Sequence, residues 1–179
     1  MQYLIGKLMT LVNLLRLLIN KRQVAADVAR VFTYRKRMNI SSKGIDLIKH
    51  FEGCELEAYH CAAGVPTIGY GHIKGVQMGD TITQDEAEAM LVHELTEYEN
   101  YIHECVEAPL NQNQFDALVS WVFNLGVGNL KASTLLKVVN VGNYDRVPEQ
   151  IMRWNKANGK VLEGLTRRRQ AEADLFSGN

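Results

Sequence analysis

Phe51-Glu52-Gly53-Cys54-Glu55-Leu56-Glu57-Ala58-Tyr59-His60-Cys61-Ala62-Ala63-Gly64-Val65-Pro66-Thr67-Ile68-Gly69-Tyr70-Gly71-His72 is the stretch on which the reading of this chain turns. An acid closes an apolar helical run, a short polar-aromatic strand follows, and Gly64-Val65-Pro66 turns the chain into a second strand. Glu52, Cys61 and Thr67 stand nine and then six residues apart. A carboxyl, a thiol and a hydroxyl at the two ends of a tight hairpin are the side chains of proton transfer and nucleophile handling.

Upstream, Ile45, Leu47, Ile48 and Phe51 give the helix one buried face, and Ser41 or Ser42 is placed to cap it by accepting a bond from a first-turn amide. Glu52 sits at its C-terminal end. The helix dipole there disfavours a carboxylate and favours the protonated acid, which is the state a proton donor needs. Downstream, Ala58–His60 and Pro66–Tyr70 read as strands, and Thr81-Ile82-Thr83 closes a small sheet spanning residues 57–82. Thr83-Gln84-Asp85-Glu86 matches a capping box. It opens a long helix whose inner face is Ala87, Met90, Leu91, Leu95, Tyr98 and Ile102.

Beyond Pro109 the pattern is helical. One helix runs from Asn111 through Phe115, Leu118, Val119, Val122 and Phe123, and ends in the loop Asn124–Asn129. Others are expected over Ser133–Val141, Tyr144–Trp154 and Leu165–Phe176, with a turn at Asn155–Lys160. Trp121 and Trp154 are read as core rather than as sugar platforms.

At the other end, Leu4, Ile5, Leu8, Leu11, Val12, Leu15, Leu18 and Ile19 recur at helical steps, predicting an amphipathic helix over residues 3–32. Lys7, Asn13 and Arg16 interrupt it, so an interfacial helix is physically easier than a spanning one, and docking on the rest of the chain competes with both. Residues 1–38 hold eight Lys/Arg and one acid, a balance of +7, whereas the other 141 residues carry −7. The chain therefore divides into a basic leader (1–38) and an acidic body (39–179). Residues 1–37 are suited to membrane lipid or another anionic envelope polymer. No small-residue cleavage site follows the apolar run, so no cleavable signal is read there.

Three cysteines, Cys54, Cys61 and Cys105, do not make a disulfide framework and fit synthesis in a reducing compartment. The histidines at 50, 60, 72, 93 and 103 show no metal-ligand spacing, and there is no Gly-rich phosphate loop. Neither metal nor cofactor is expected. No nucleic-acid recognition motif accompanies the basic leader, and a monomer is expected.

The register Glu, eight residues, Cys, five residues, Thr resembles that of the phage-type lysozymes, the endolysins that cut bacterial peptidoglycan, and the resemblance runs from about Asn39 to the end. It implies an α+β fold of two lobes, a small antiparallel sheet and a helical lobe joined by a long helix, with the N-terminal amphipathic helix as an addition. It implies hydrolysis of the β-1,4 bond between N-acetylmuramic acid and N-acetylglucosamine, synthesis in the host bacterial cytoplasm and action on the wall. Glu52 would then be the proton donor, Thr67 would hold the attacking water, and Cys61 would stand where the family usually has Asp. To serve as base, Cys61 would need help in ionising, from His60 or His72; as a soft nucleophile it would instead form a covalent intermediate. Phe123, Asn124 and Gly126 resemble the cleft wall, with Ser133 and Asn158 as further substrate-binding candidates. Thr166-Arg167-Arg168-Arg169 resembles the helix that sets an Arg beside the acid. Arg168 is the one chosen, with solvated roles for the other two. A lytic transglycosylase, and a membrane-active helix on a degenerate wall-binding domain, are the competing readings.

Overall fold

The computed structural model describes residues 37–178; the helix expected over residues 3–32 lies outside them. The first helix, α1 (Ser42–Glu52), buries Gly44 and Ile48. Its cap differs from the one expected. Ser41 stands at the N-cap position but makes no side-chain bond to the first turn. Its hydroxyl donates instead to Asp116, and its N–H donates to Asp116 Oδ1 at 3.0 Å. Asp116 is fully buried, and a buried carboxylate must collect donors, so a partner 75 residues away displaces the local one. Gln112 Nε2 supplies another donor at 2.8 Å. The approach is close: a Cβ on Gly44 would lie 2.6 Å from Ile40 Cγ1 and 2.8 Å from Asp116 Cβ, which only glycine avoids.

Two residues then lead into β1 (Glu55–His60), which pairs antiparallel with β2 (Pro66–Gly69) through Glu55–Gly69, Tyr59–Thr67 and His60–Pro66, with an irregularity in between. Ala58 N–H donates to the Asp80 carbonyl and Ile82 N–H to that of Leu56, both at 2.9 Å, so the segment around Thr81 closes the small lobe as expected. The capping box forms: Glu86 N–H donates to Thr83 Oγ1 at 3.2 Å and Thr83 N–H to Glu86 Oε2 at 2.7 Å. It starts α2 (Gln84–Cys105), whose 22 residues span about 33 Å at the usual rise. Near its start Ala87 lies against Gly69 of the sheet lobe, and the helix goes on to pack on the helical lobe.

That lobe is built around α3 (Gln112–Leu125), capped by the reciprocal bonds of Asn111 and Gln114. Every residue from Phe115 to Val122 is buried. The sequence pattern marked one stripe of this helix, but α1, α2 and the C-terminal helix pack on it and cover the remaining faces, including Asp116, Ser120 and Trp121. Trp121 meets Trp154 edge-on at 5.1 Å inside the core. The loop expected after Asn124 is shorter than read: Gly126, at φ 84°, turns the chain directly into α4 (Val127–Ala132). Next comes α5 (Thr134–Asn140).

The helix expected over Tyr144–Trp154 is split into a 3₁₀ turn (Tyr144–Arg146) and α6 (Val147–Met152). Pro148 lies in the first turn of α6, where its missing N–H costs nothing and favours a helix start. The Asn155–Lys160 turn proves to be a miniature hairpin, β3 (Lys156–Ala157) with β4 (Lys160–Val161). Its two-residue loop, Asn158-Gly159, has φ of 50° and 77°, the left-handed pair such turns require. The chain ends in α7 (Glu163–Ser177), which packs on α3 and α6. Among the described residues, no helix is long and apolar enough to cross a membrane.

Candidate active site

Glu52 is the last residue of α1, and its carboxylate meets Arg168 of α7, Nη1 to Oε1 at 2.6 Å. The Arg168 side chain is only 4% exposed against 23% for Glu52, so the acid faces solvent over a buried guanidinium. The same guanidinium lies 5.7 Å from the centre of the Phe51 ring. Arg168 is thus the arginine beside the acid. Arg167 is solvent-facing and paired with Glu163 at 2.8 Å, as expected. Arg169 corrects the expectation of a solvated residue. It is fully buried, two residues and about 200° round the helix from Arg167, and turned into the core against α3.

Cys61 and Thr67 form the second constellation. The chain reverses between them, with Cys61 N–H donating to the Val65 carbonyl at 3.1 Å and Gly64 N–H to that of Cys61 at 2.7 Å. Within this reversal the Cys61 thiol lies below its ordinary pKa, drawn down first by the Val65 and Ala63 backbone and then by the Thr67 hydroxyl. Thr67 is buried at 3% exposure, and its hydroxyl also reaches the Val65 carbonyl at 2.9 Å. It can donate to that carbonyl while the sulfur carries its proton and turn to the sulfur once the proton has gone. Neither histidine expected to assist the thiol is involved. His72 binds Glu94 through Nδ1 and lies 2.9 Å from the Lys74 carbonyl through Nε2, while His60 is exposed. No imidazole is among the groups that draw the thiol down. Cys105, by contrast, has its thiol pKa pushed up by burial.

The substrate-binding candidates divide. Phe123 lies edge-on to Tyr98 of α2 at 4.9 Å, and burial followed by Glu94, Glu97 and Glu52 raises the Tyr98 phenol. Asn124 Oδ1 accepts from Arg169 Nη2 at 3.0 Å. Gly126 has open space where a Cβ would stand. Asn158 is exposed at the tip of the β3–β4 hairpin. Ser133 is buried, and its hydroxyl caps α5, accepting from Leu136 N–H at 3.0 Å and donating to the Leu130 carbonyl at 2.7 Å.

One residue of the site was not singled out from the sequence. Glu172 is fully buried and gathers Ser120 Oγ at 2.9 Å, Arg169 Nη2 at 3.1 Å and Arg168 Nε at 3.3 Å on Oε1, with Arg169 Nε 2.9 Å from Oε2. The available signal was spacing: Glu172 follows the two arginines by four and three residues, the separations that meet on one helix face. No cluster of metal-ligating side chains occurs among the described residues.

Glu52 thus closes the first helix three residues before the hairpin that carries Cys61 and Thr67, within a two-lobed α+β frame. Comparison gives the family. The phage lysozyme family model matches residues 49–172. An endolysin of Acyrthosiphon pisum secondary endosymbiont phage 1 is 48% identical, covering 78% of this chain and 98% of its own. The SAR-endolysin of Haemophilus phage HP1 is 33% identical over 86% of this chain and 92% of its own. The solved structure of an endolysin from Escherichia coli O157:H7 phage FAHEc1 superposes with a TM-score of 0.72 at 42% identity, covering 78% of this chain and 93% of that one. The chain belongs to the phage lysozyme family.

Proposed function

We propose that Glu52, Cys61 and Thr67 carry the chemistry of this phage endolysin, a muramidase that hydrolyses the glycan strands of peptidoglycan. Glu52 donates a proton to the leaving glycosidic oxygen. The Cys61 thiolate and the Thr67 hydroxyl hold the water that attacks the opposite face of the sugar, giving inversion. The observation that carries this assignment is the tight turn that sets Cys61 and Thr67 on one hairpin, closed by Cys61 N–H on the Val65 carbonyl at 3.1 Å, in which the thiol lies below its ordinary pKa. Arg168 orients the acid and, on this reading, gives up part of its bond when the glycan enters and Glu52 takes a proton. Phe123, Asn124, Gly126, Ser133 and Asn158 make up the cleft wall on the helical side. Of these, Ser133 acts through the fold it caps rather than through its own hydroxyl.

Digestion of purified peptidoglycan tests the reaction type. Reducing N-acetylmuramic acid ends, first released as the α-anomer, are expected. Anhydro ends would replace hydrolysis by transglycosylation, and an initial β-anomer would make Cys61 a nucleophile.

We also propose that residues 1–38 are a separate element from the catalytic domain at 39–179, and that they bring the enzyme to the anionic face of a membrane. The charge division supports this, as does the reach of the alignment with the Haemophilus phage HP1 relative, 86% of this chain against 78% for the endosymbiont-phage endolysin. Full-length protein should co-sediment with vesicles containing anionic lipid and be released by raised salt. Equal recovery with neutral vesicles would sink the electrostatic account.

A further inference from the structure

Behind the proton donor, α7 carries two buried guanidinium groups side by side, Arg168 and Arg169, each 4% exposed or less. Arg168 Nη2 and Arg169 Nη1 are buried without a hydrogen-bond partner. Among the described residues, the anions hydrogen-bonded to these two arginines are Glu52, on Arg168 alone, and Glu172, which bonds both and is fixed in turn by Ser120 of α3. Facing this cluster, α2 presents Tyr98, and α3 presents only the neutral Asn124 and Ser120. With both carboxylates ionised, the charges balance. A proton on Glu52 leaves one surplus positive charge, shared over two guanidiniums and held by Glu172.

We propose that Glu172 is a positioning residue for the proton donor: it fixes the Arg168 guanidinium through Nε and neutralises the second arginine, so that Glu52 can take up the proton it must deliver. The inference rests on the assignment of Glu52 as donor. Without the charge at position 172, Glu52 would be the sole counter-ion of two desolvated cations, and protonating it would strand both. Coulomb attraction inside a poorly screened cluster would then keep it ionised down to lower pH. Burial raises the Glu172 carboxyl on balance, against the pull of Arg169, Arg168 and the Ser120 hydroxyl. Its ionised state is the one that leaves the fewest uncompensated charges in the cluster.

The test is the pH profile of peptidoglycan digestion by Glu172→Gln, which keeps shape and removes charge. The limb set by Glu52 is expected to move to lower pH by about one unit, with KM little changed. The double variant Glu172→Gln/Arg169→Gln, which removes one charge of each sign, should bring the limb back towards wild type. A folded Glu172→Gln whose Glu52-set limb stays in place overturns the proposal, as does a double variant whose limb stays displaced. Wild-type protein labelled with ¹³C at the glutamate carboxyls gives a reading that no folding defect can obscure. Glu172 should remain ionised throughout the active range, and a Glu172 that carries a proton there ends the proposal. Glu52→Gln separates the two layers: if it stays active the donor assignment fails, whereas an inactive Glu52→Gln with an unmoved limb in Glu172→Gln removes this inference alone.

Discussion

Glu52→Gln is expected to lower the rate of peptidoglycan digestion by about 10³-fold while leaving the protein folded. The amide keeps the size of the side chain and can still meet Arg168, now through its oxygen only, so the 2.6 Å contact between α1 and α7 need not be lost. What disappears is an ionisable proton at the leaving oxygen. Removing a positioned general acid costs a factor of 10² to 10⁴ in typical enzymes, and the poor leaving ability of a sugar alkoxide puts this case well inside that range. The measurement is the initial rate on purified cell wall, with circular dichroism to verify the fold. Undiminished digestion by a folded Glu52→Gln would move the proton donor elsewhere.

Cys61→Ser should cost about 10²-fold, and Cys61→Asp should recover most of it. The serine hydroxyl does not ionise near neutral pH, so it offers neither a base nor a charge. A carboxylate in the same turn can use the Val65 and Ala63 backbone that now draws the thiol down. The pH dependence gives a sharper test. The wild-type thiol, although held below its ordinary value, is a base only above its pKa, so the fraction of enzyme with its base ready rises with pH up to that point. A carboxylate, with a reference pKa of about 3.9 against about 8.5 for a thiol, is ionised well below neutrality. The ratio of Cys61→Asp to wild type is therefore expected to be largest on the acid side and to fall as pH rises. Equal rates for wild type and Cys61→Ser at every pH would reduce Cys61 to packing.

Much of this site could be read without coordinates because its parts are close in sequence. Glu52, Cys61 and Thr67 fall within sixteen residues, where helix end, hairpin and turn are governed by local rules. The Thr83–Glu86 capping box and the Gly64 turn were legible for the same reason. The source of help for Cys61 was not. His60 and His72 were the titratable neighbours in the chain, but a strand alternates its faces, and the turn brings the Val65 and Ala63 backbone to the sulfur instead. Nor did the pattern show that Ser41 would leave its own helix for Asp116, since a partner 75 residues away leaves no local trace.

The chain alone thus determined the first hairpin, the long capped helix and the register of Glu52, Cys61 and Thr67, because periodicity, caps and turns act over a few residues; the two-lobed α+β class followed from the family resemblance that this register carries. Tertiary structure decided which arginine meets the acid, that the next one is buried, and that Glu172 joins them. The three arginines are chemically identical in sequence and differ only by the 100° each advances around α7. Packing against α3 turns that angle into a choice between solvent, the core and Glu52.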